Sequence, residues 1–415
     1  MPDPLRILHI STRLILGGSQ ENTVLSCEGQ ARLGHEVRLA FGPIYGPEGS
    51  MLERVRGFRT EDGRGIATHE VPHLVRELSP EADPKALREL VALIADLKPD
   101  IVHTHSSKAG ILGRMAAWRV HRSLPPERRA GVVHTVHGPP FMPLEGSPVR
   151  RAKIRAKNKL YEVAEKHAAR RCHVIVSVAD AMTEQFLARG IGRLEQYATV
   201  RSGMDVEPYL TPRPGEDRAS VRAALGLAET DLVFGTVARL AEHKGHDDVI
   251  DAFGEDLRAR PDLKLLWVGD GWWKDRLVGR LRTLGARPDQ IVLTGLVPPD
   301  RIPGLMRAMD VLIHPSYREG LPRTVPQALL CGVPVIATDA DGTREACIDG
   351  ETGRLIPVGD PAALRAAAGW MAEHPEERRA MGERGRALCR EAFSAERMVA
   401  DLEAVYRRAL AAARA

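Results

Sequence analysis

Short apolar runs alternate with longer stretches of helical periodicity through the first half of the chain. Arg6-Ile7-Leu8-His9-Ile10-Ser11-Thr12 reads as a strand that ends in a turn at Leu16-Gly17-Gly18. A helix pattern follows from near Ser19 to Leu33, with Gly34 as its stop. Val37-Arg38-Leu39-Ala40 predicts a second strand, 43–65 a long loop with several Gly and two Pro, and Ala67 to Leu74 a third strand. Pro84 to Leu97 is an amphipathic helix, and Asp100-Ile101-Val102-His103-Thr104-His105 the next strand. A helix over Ala109 to Val120, a strand over Val132 to His137 and a Pro- and Gly-bearing loop over Gly138 to Pro148 come next. A long basic helix then runs to about Arg171, followed by strands at His173 to Val178 and Ala198 to Arg201.

The register resets at Pro208, Pro212, Pro214 and Gly215. A second series places strands at Leu232 to Val237, Leu263 to Val268, Ile291 to Thr294, Val311 to His314 and Val333 to Ala337, with helices between. Residues 360–413 read as helical. Two successive runs of strand–helix alternation predict an α/β protein of two Rossmann-like parallel-sheet domains. The expected division is 1–204, a linker at 205–218, 219–390, and a C-terminal helix at 391–415 that crosses back. Ligands of such sheets bind beyond the carboxyl ends of the strands, and the cleft between two facing domains is the default site.

Composition narrows the function classes. Of 415 residues, 43% are apolar and 27% charged, which fits a folded globular protein and excludes wholesale disorder. Aromatics at 4% are too few for a binder that stacks on single-stranded nucleic acid, and no helix-turn-helix, finger or RNA-binding signature is present. No apolar run reaches the length of a membrane span, and the start Met1-Pro2-Asp3-Pro4 reads as lacking a signal peptide. The five cysteines (Cys27, Cys172, Cys331, Cys347, Cys389) are odd in number and never paired as C-x-x-C. They read as reduced packing residues of a cytoplasmic protein. The net charge of +4 is uneven, because residues 101–200 carry 17 Lys+Arg against 7 Asp+Glu. That asymmetry fits either an anionic partner or Arg-rich solvated helix faces.

The most specific stretch is Ser316-Tyr317-Arg318-Glu319-Gly320-Leu321-Pro322-Arg323-Thr324-Val325-Pro326-Gln327, continuing through Cys331-Gly332-Val333-Pro334. Other fragments precede it in order: Gly17-Gly18, the His-x-His-Ser-Ser-Lys-Ala-Gly run at 103–110, Thr135-Val136-His137-Gly138 and Ser202-Gly203-Met204-Asp205. Arg239-x4-Lys244-Gly245 and Val268-Gly269-Asp270-Gly271 complete the set. Each alone is weak, but together the chain resembles, over nearly its whole length, the retaining nucleotide-sugar glycosyltransferases of family 4, of GT-B architecture. The resemblance implies an acceptor-side first domain and a nucleotide-sugar donor domain after it. It also implies transfer to a glycan or lipid-linked acceptor in polysaccharide or glycolipid synthesis, with retention at the anomeric carbon.

The residues have their own chemistry beside that resemblance. Arg239 and Lys244 follow a strand and open a helix, where two cations can neutralise a diphosphate leaving group without a metal, or simply be solvated. Gly17 and Gly18 precede a helix whose first amides favour an anion, and Pro322 and Arg323 are expected to open the helix after Glu319 in the same way. Glu319 can accept hydrogen bonds from sugar hydroxyls or act as a helix cap. The resemblance makes it the first Glu of an E-x7-E motif that contacts the donor sugar, with Gly271, Gly320, Leu321 and the backbone near Leu296 also on the donor side. It places His137 near the anomeric carbon, the plainer reading being a strand-end histidine. Gln327 departs from the family pattern, which has Glu there to accept from the ribose, and Gln keeps one acceptor oxygen of the two.

His103 and His105 share one face of their strand, so a metal pair is conceivable, but no third ligand is evident. His105, Ser106 and Lys108 are read as lining the acceptor side. Asp339-Ala340-Asp341 is a chance D-x-D taken as loop structure, so no metal or other cofactor is expected. Arg150, Arg151, Lys153, Arg155, Lys157 and Lys159 make a cationic helix start that suits an anionic bilayer, peripherally at the inner membrane face. Its apolar anchors are few: Ile154, Leu160 and Tyr161. Two other readings stay open. One is a nucleotide-sugar-binding subunit or regulator that has lost transfer, which Gln327 would mark. The other is a nucleotide-sugar epimerase of the same architecture.

Overall fold

The computed structural model describes residues 3–45, 49–138, 141–142 and 147–415. The chain folds into two units, Met1–Met204 with Ala395–Ala415, and Asp205–Ser394. Both are parallel sheets wrapped by helices.

In the first unit, strands β1 (Arg6–Ser11), β2 (Glu36–Phe41), β3 (Ala67–Glu70), β4 (Ile101–His105), β5 (Gly131–Val136), β6 (Val174–Ser177) and β7 (Tyr197–Thr199) pair in the order β3-β2-β1-β4-β5-β6-β7. β1, β4, β5 and β6 are buried nearly throughout, which is why their sequences are continuous apolar runs and not alternating ones. The strand order reverses between β1 and β4, so their carboxyl ends open the crevice where such sheets bind ligands. The helix Ala395–Arg414 lays Met398, Leu402, Val405, Tyr406 and Ala409 against Ile7, Ile101, Val133 and Val174 of this sheet.

In the second unit, β8 (Leu232–Val237), β9 (Leu263–Val268), β10 (Ile291–Gly295), β11 (Val311–His314), β12 (Val335–Thr338) and β13 (Gly353–Ile356) pair in the order β10-β9-β8-β11-β12-β13. The reversal falls between β8 and β11. Its core joins Phe234, Trp267, Val311 and Ile313 of the sheet to Val249, Phe253, Leu257 and Leu277 of the covering helices.

Several boundaries differ from the sequence reading, each for a local reason. β3 stops at Glu70 because the Leu74 N–H turns back to the Val71 carbonyl. The loop at 43–65 contains a short helix, Leu52–Gly57, anchored by buried Met51 and Val55. β13 is too short to register as a periodic run and exists because it pairs with β12. The C-terminal helical segment is three helices, Pro361–Glu373, Pro375–Ala392 and Ala395–Arg414; Pro375, which cannot donate an N–H, starts the second.

Candidate functional site

At the reversal point of the second sheet, the chain leaves β8 through Ala238, exposed Arg239 and Leu240, makes a 3-10 turn at Glu242–Lys244, and enters the helix His246–Ala259 at Gly245. Gly245 has φ +67°, and a Cβ there would lie 2.0 Å from the Pro315 carbonyl oxygen. Only glycine lets this loop press against the one after β11. The two loops are then tied: the Tyr317 N–H donates to the His243 carbonyl at 2.9 Å, Ser316 Oγ donates to the same oxygen at 3.3 Å, and the Tyr317 hydroxyl donates to Asp248 Oδ1 at 3.0 Å.

This tie brings Lys244 Nζ to 2.5 Å from Glu319 Oε1, with both side chains largely buried. His314 Nε2, at the end of β11, lies 3.3 Å from the same oxygen. The Glu319 N–H donates to Asp341 Oδ2 at 2.8 Å. Burial opposes ionisation of Glu319, but His314 and Lys244 outweigh it and hold the carboxyl well below the usual carboxylate range. Arg239 makes no ion pair among the described residues. His243 reports the local potential: its pKa is lowered first by burial, then by Lys244, with Arg239 and Arg318 adding and Glu319 opposing. The site therefore pairs a fixed anion with a surplus of cations, at the carboxyl ends of β8 and β11. Neither His314 nor Asp341 was read from the sequence as part of it. Strand register brings the first, and a loop residue at φ +49° the second.

The other residues expected on the donor side of the second unit are placed as follows. Gly271 follows β9 and Leu296, highly exposed, follows β10. The Gly320 carbonyl accepts the Gly342 N–H at 3.1 Å. Leu321 and Pro322 are buried, and Pro322 does not open the helix as expected. The first helical hydrogen bond runs from the Gln327 N–H to the Arg323 carbonyl, so the helix is Thr324–Leu330 with Arg323 as its N-cap. Gln327 sits half-buried on that helix, and its side chain makes no hydrogen bond among the described residues. The D-x-D carboxylates are both engaged: Asp339 with Arg344 of its own loop at 2.8 and 2.9 Å, and Asp341 with the Glu319 amide of the loop after β11.

In the first unit, Gly17 is the N-cap of the helix Gly18–Arg32, one residue earlier than expected, with no side-chain cap hydrogen bond among the described residues. Ser106, at φ +62°, starts the helix Ser107–His121 and shares a 2.7 Å hydrogen bond with the Thr12 hydroxyl. Lys108 is buried, its ammonium on the Asp83 carboxylate and the Glu77 carbonyl. His105 is also buried, its ring between His9 and His137, so of this trio only Ser106 is even half-exposed. β5 ends at Val136, one residue before half-buried His137.

The parallel register sets His9 of β1 beside His103 of β4, and ligand atoms of His9, His103 and His105 all lie within 4.8 Å of one another. The third histidine that the sequence did not reveal is thus supplied by a neighbouring strand. All six ring nitrogens already have hydrogen-bond partners. Burial pushes His9 down to about 4 and His103 and His105 well below the ordinary value, so the three rings are neutral at pH 7.

The basic helix is Pro148–Ala169, with Ser147 capping the Arg150 amide at 3.3 Å. Arg150, Arg151, Lys153, Arg155, Lys157 and Lys159 are exposed, together with Val149, Leu160 and Val163. Ile154, expected as an outward anchor, is buried instead. Parts of the expected loops at 43–65 and 138–148 (46–48, 139–140 and 143–146) lie outside the described residues. Among the described residues no helix is long and apolar enough to cross a membrane.

The chain matches two family models in succession, a glycosyl transferase 4-like domain over residues 17–203 and glycosyl transferases group 1 over 217–388. It is 29% identical to putative glycosyltransferase EpsD of Bacillus subtilis, over 78% of this chain and 81% of that one. It is 30% identical to the UDP-Gal:alpha-D-GlcNAc-diphosphoundecaprenol alpha-1,3-galactosyltransferase of Escherichia coli, over 70% of each chain. Among solved structures, Anabaena Alr3699/HepE in complex with UDP superposes with a TM-score of 0.74 at 20% identity, covering 97% of this chain and 99% of that one. With both domain models matched in order and a relative at 30% identity over 70% of its length, the chain belongs to the group 1 glycosyl transferases and is a glycosyltransferase of GT-B architecture.

Proposed function

We propose that the protein is a retaining transferase that moves a sugar from a nucleoside-diphosphate sugar to a glycan or lipid-linked acceptor, in polysaccharide or glycolipid synthesis. The observation that carries this reading is the ionised Glu319 held against Lys244 beside exposed Arg239, at the reversal point of the second sheet. A diphosphate needs two or more fixed cations, and a sugar needs an anionic acceptor for its hydroxyls. The crystallised UDP complex of the HepE relative agrees with a nucleotide ligand.

In this mechanism Arg239 and Lys244 take the charge that builds on the leaving phosphate, and Glu319 orients the sugar. The C1–O bond to phosphate breaks as the acceptor oxygen bonds C1 from the same face, and the acceptor's proton passes to the departing phosphate oxygen. The protein's own cations fill the role of a metal, so EDTA should leave the activity intact. The buried thiols suit a reducing cytoplasm, and the basic helix suits an anionic inner membrane face.

The test is donor turnover. Incubation with nucleotide sugars in EDTA should release one nucleoside diphosphate, and proton NMR of the sugar first released should show the donor's anomeric configuration. Lys244→Ala should lower kcat roughly 100-fold or more. Release of the inverted anomer, or activity that appears only with Mg²⁺ or Mn²⁺, would contradict the mechanism. Gln327 favours one alternative, a subunit that binds the donor without transferring it, which predicts nucleotide binding with no turnover.

A further inference from the structure

At the amino ends of β11 and β12, the opposite end of the sheet from the Lys244–Glu319 centre, the second unit holds a cavity of about 450 Å³. Its wall is built from the residues leading into those two strands, the end of the helix Ile302–Arg307, the helix Pro375–Ala392 and the start of the unit. Five arginines line it, Arg218, Arg307, Arg378, Arg379 and Arg386, against one carboxylate, Asp310. Asp310 is already shared: Arg218 Nη2 lies 2.6 Å and Arg378 Nη2 3.6 Å from its Oδ1, and Arg222 Nη2 lies 2.7 Å from its Oδ2. Arg307 is only 9% exposed. Its Nη2 donates to the Pro208 carbonyl at 2.6 Å, and its Nη1 is buried with no hydrogen-bond partner among the described residues. Arg379 and Arg386 are exposed. Arg386 Nη2 donates to the Leu210 carbonyl at 2.5 Å, and Arg379 lies 3.6 Å from Glu376, itself exposed.

A guanidinium stays charged throughout the physiological pH range, so the lining residues alone carry a net charge of +4. Arg222 and Glu376, which pair with lining residues, cancel each other and leave that balance unchanged. Arg378 registers the crowding: burial lowers its pKa first of all, Asp310 opposes the shift, and Arg218, Arg379 and Arg222 add to it. A buried charged donor without a partner bears the desolvation cost of that group, so Arg307 Nη1 points to a missing acceptor. We propose that this cavity is a second anion site, which takes a phosphate dianion, either free or as the monoester end of a small molecule. The planar guanidinium fork engages phosphate oxygens two at a time, and a dianion answers more of the surplus than a carboxylate does. The volume is that of a small-molecule site, roughly 300–1,000 Å³. The carbonyl end of the helix Thr324–Leu330 meets the wall at Cys331 and Gly332 and opposes an anion by about half a charge, well short of the arginine surplus. That helix starts after Arg323, in the loop that carries Glu319, so the two sites lie at opposite ends of one element.

The test is calorimetric titration of the full chain, without metal and at constant ionic strength, with inorganic phosphate and with glucose 6-phosphate as probes. Titrating Lys244→Ala, whose donor centre has lost a cation, isolates the cavity. The expected result in that background is saturable binding at a single site. Adding Arg379→Ala and Arg386→Ala should weaken it by roughly tenfold or more, as loss of charge-assisted hydrogen bonds does. Both arginines are exposed, so their removal spares the fold, which circular dichroism checks. Equal affinity for the two probes assigns the site to the free ion, and tighter binding of the ester assigns it to a phosphorylated small molecule. Absence of saturable binding by either probe overturns the proposal, whether or not any further variant folds. So does a heat that sodium chloride reproduces, or an affinity that the two arginine substitutions leave unchanged. No nucleotide sugar enters this experiment, so its outcome is independent of whether the glycosyl-transfer reading stands.

Discussion

At the scale of single residues, the site turns on which charges are held and which are open. Glu319 is ionised because Lys244 and His314 overcome its burial, so its folded pKa lies below its unfolded one. It therefore contributes stability that is fully present above about pH 4.5 and is lost as pH falls. Glu319→Gln should flatten the acid side of the stability–pH curve, measured as urea midpoints between pH 3 and 6. A curve unchanged from wild type would contradict the pairing. The buried histidines act on a higher window with the same sign: His9, at about 4 in the fold against 6.5 unfolded, stabilises the fold above pH 6.5 and ceases to do so as pH falls toward 4. The loss from His9 alone is roughly 3 kcal/mol. A urea midpoint that stays flat from pH 6.5 to 4.5 would contradict neutral, buried rings. Gln327 is half-buried with an unengaged side chain, so a carboxylate there would add a charged acceptor. Gln327→Glu should tighten nucleotide affinity by roughly 10- to 150-fold, the roughly 1.5–3 kcal/mol of a charge-assisted hydrogen bond. Equal or weaker affinity by calorimetry would count against a ribose contact at this position.

At the scale of elements, the chemistry is built where two loops meet. Gly245 carries both a positive φ and a 2.0 Å approach to Pro315, so Gly245→Ala forces the β8 loop away from the β11 loop. The expected cost is on the order of 2 kcal/mol or more in stability, with loss of donor turnover as Lys244 moves from Glu319. A variant with wild-type stability and turnover would show that the close approach is dispensable. The strand–helix alternation was legible because buried parallel strands are continuous apolar runs. Arg239, Lys244 and Glu319 could be singled out as candidates because their spacing to a strand end and a helix start is local. His314, Asp341 and His9 were not, because they join their partners across strands or loops far apart in sequence. The helix start at Thr324 was misread for a related reason: Pro322 favours a first turn, but the helix begins two residues later. Lys108, read as lining the acceptor side, is buried on Asp83, a contact no local pattern encodes.

At the scale of the whole molecule, each unit has its own core, and the first depends on the last helix of the chain. Leu402 is buried among β-strand residues of that unit. Leu402→Ala should cost about 2–5 kcal/mol and lower the unfolding transition of the first unit, leaving that of Asp205–Ser394 unmoved. A calorimetric trace with both transitions shifted equally would contradict separate cores. The basic helix makes its own large-scale prediction: the protein should sediment with anionic vesicles at low salt and be released at high salt, and failure to sediment would reject membrane docking. The central claim is that the second unit binds a nucleoside diphosphate through Arg239, Lys244 and Glu319. The most direct measurement is a metal-free thermal-shift comparison of UDP, GDP, ADP, CMP and dTDP on wild type and Lys244→Ala. A ligand at 100 times its Kd stabilises the native state by about 2.7 kcal/mol. The account predicts a raised Tm with one diphosphate family and its loss in the variant. No shift with any of them on folded wild type, or a shift that Lys244→Ala leaves intact, would contradict it.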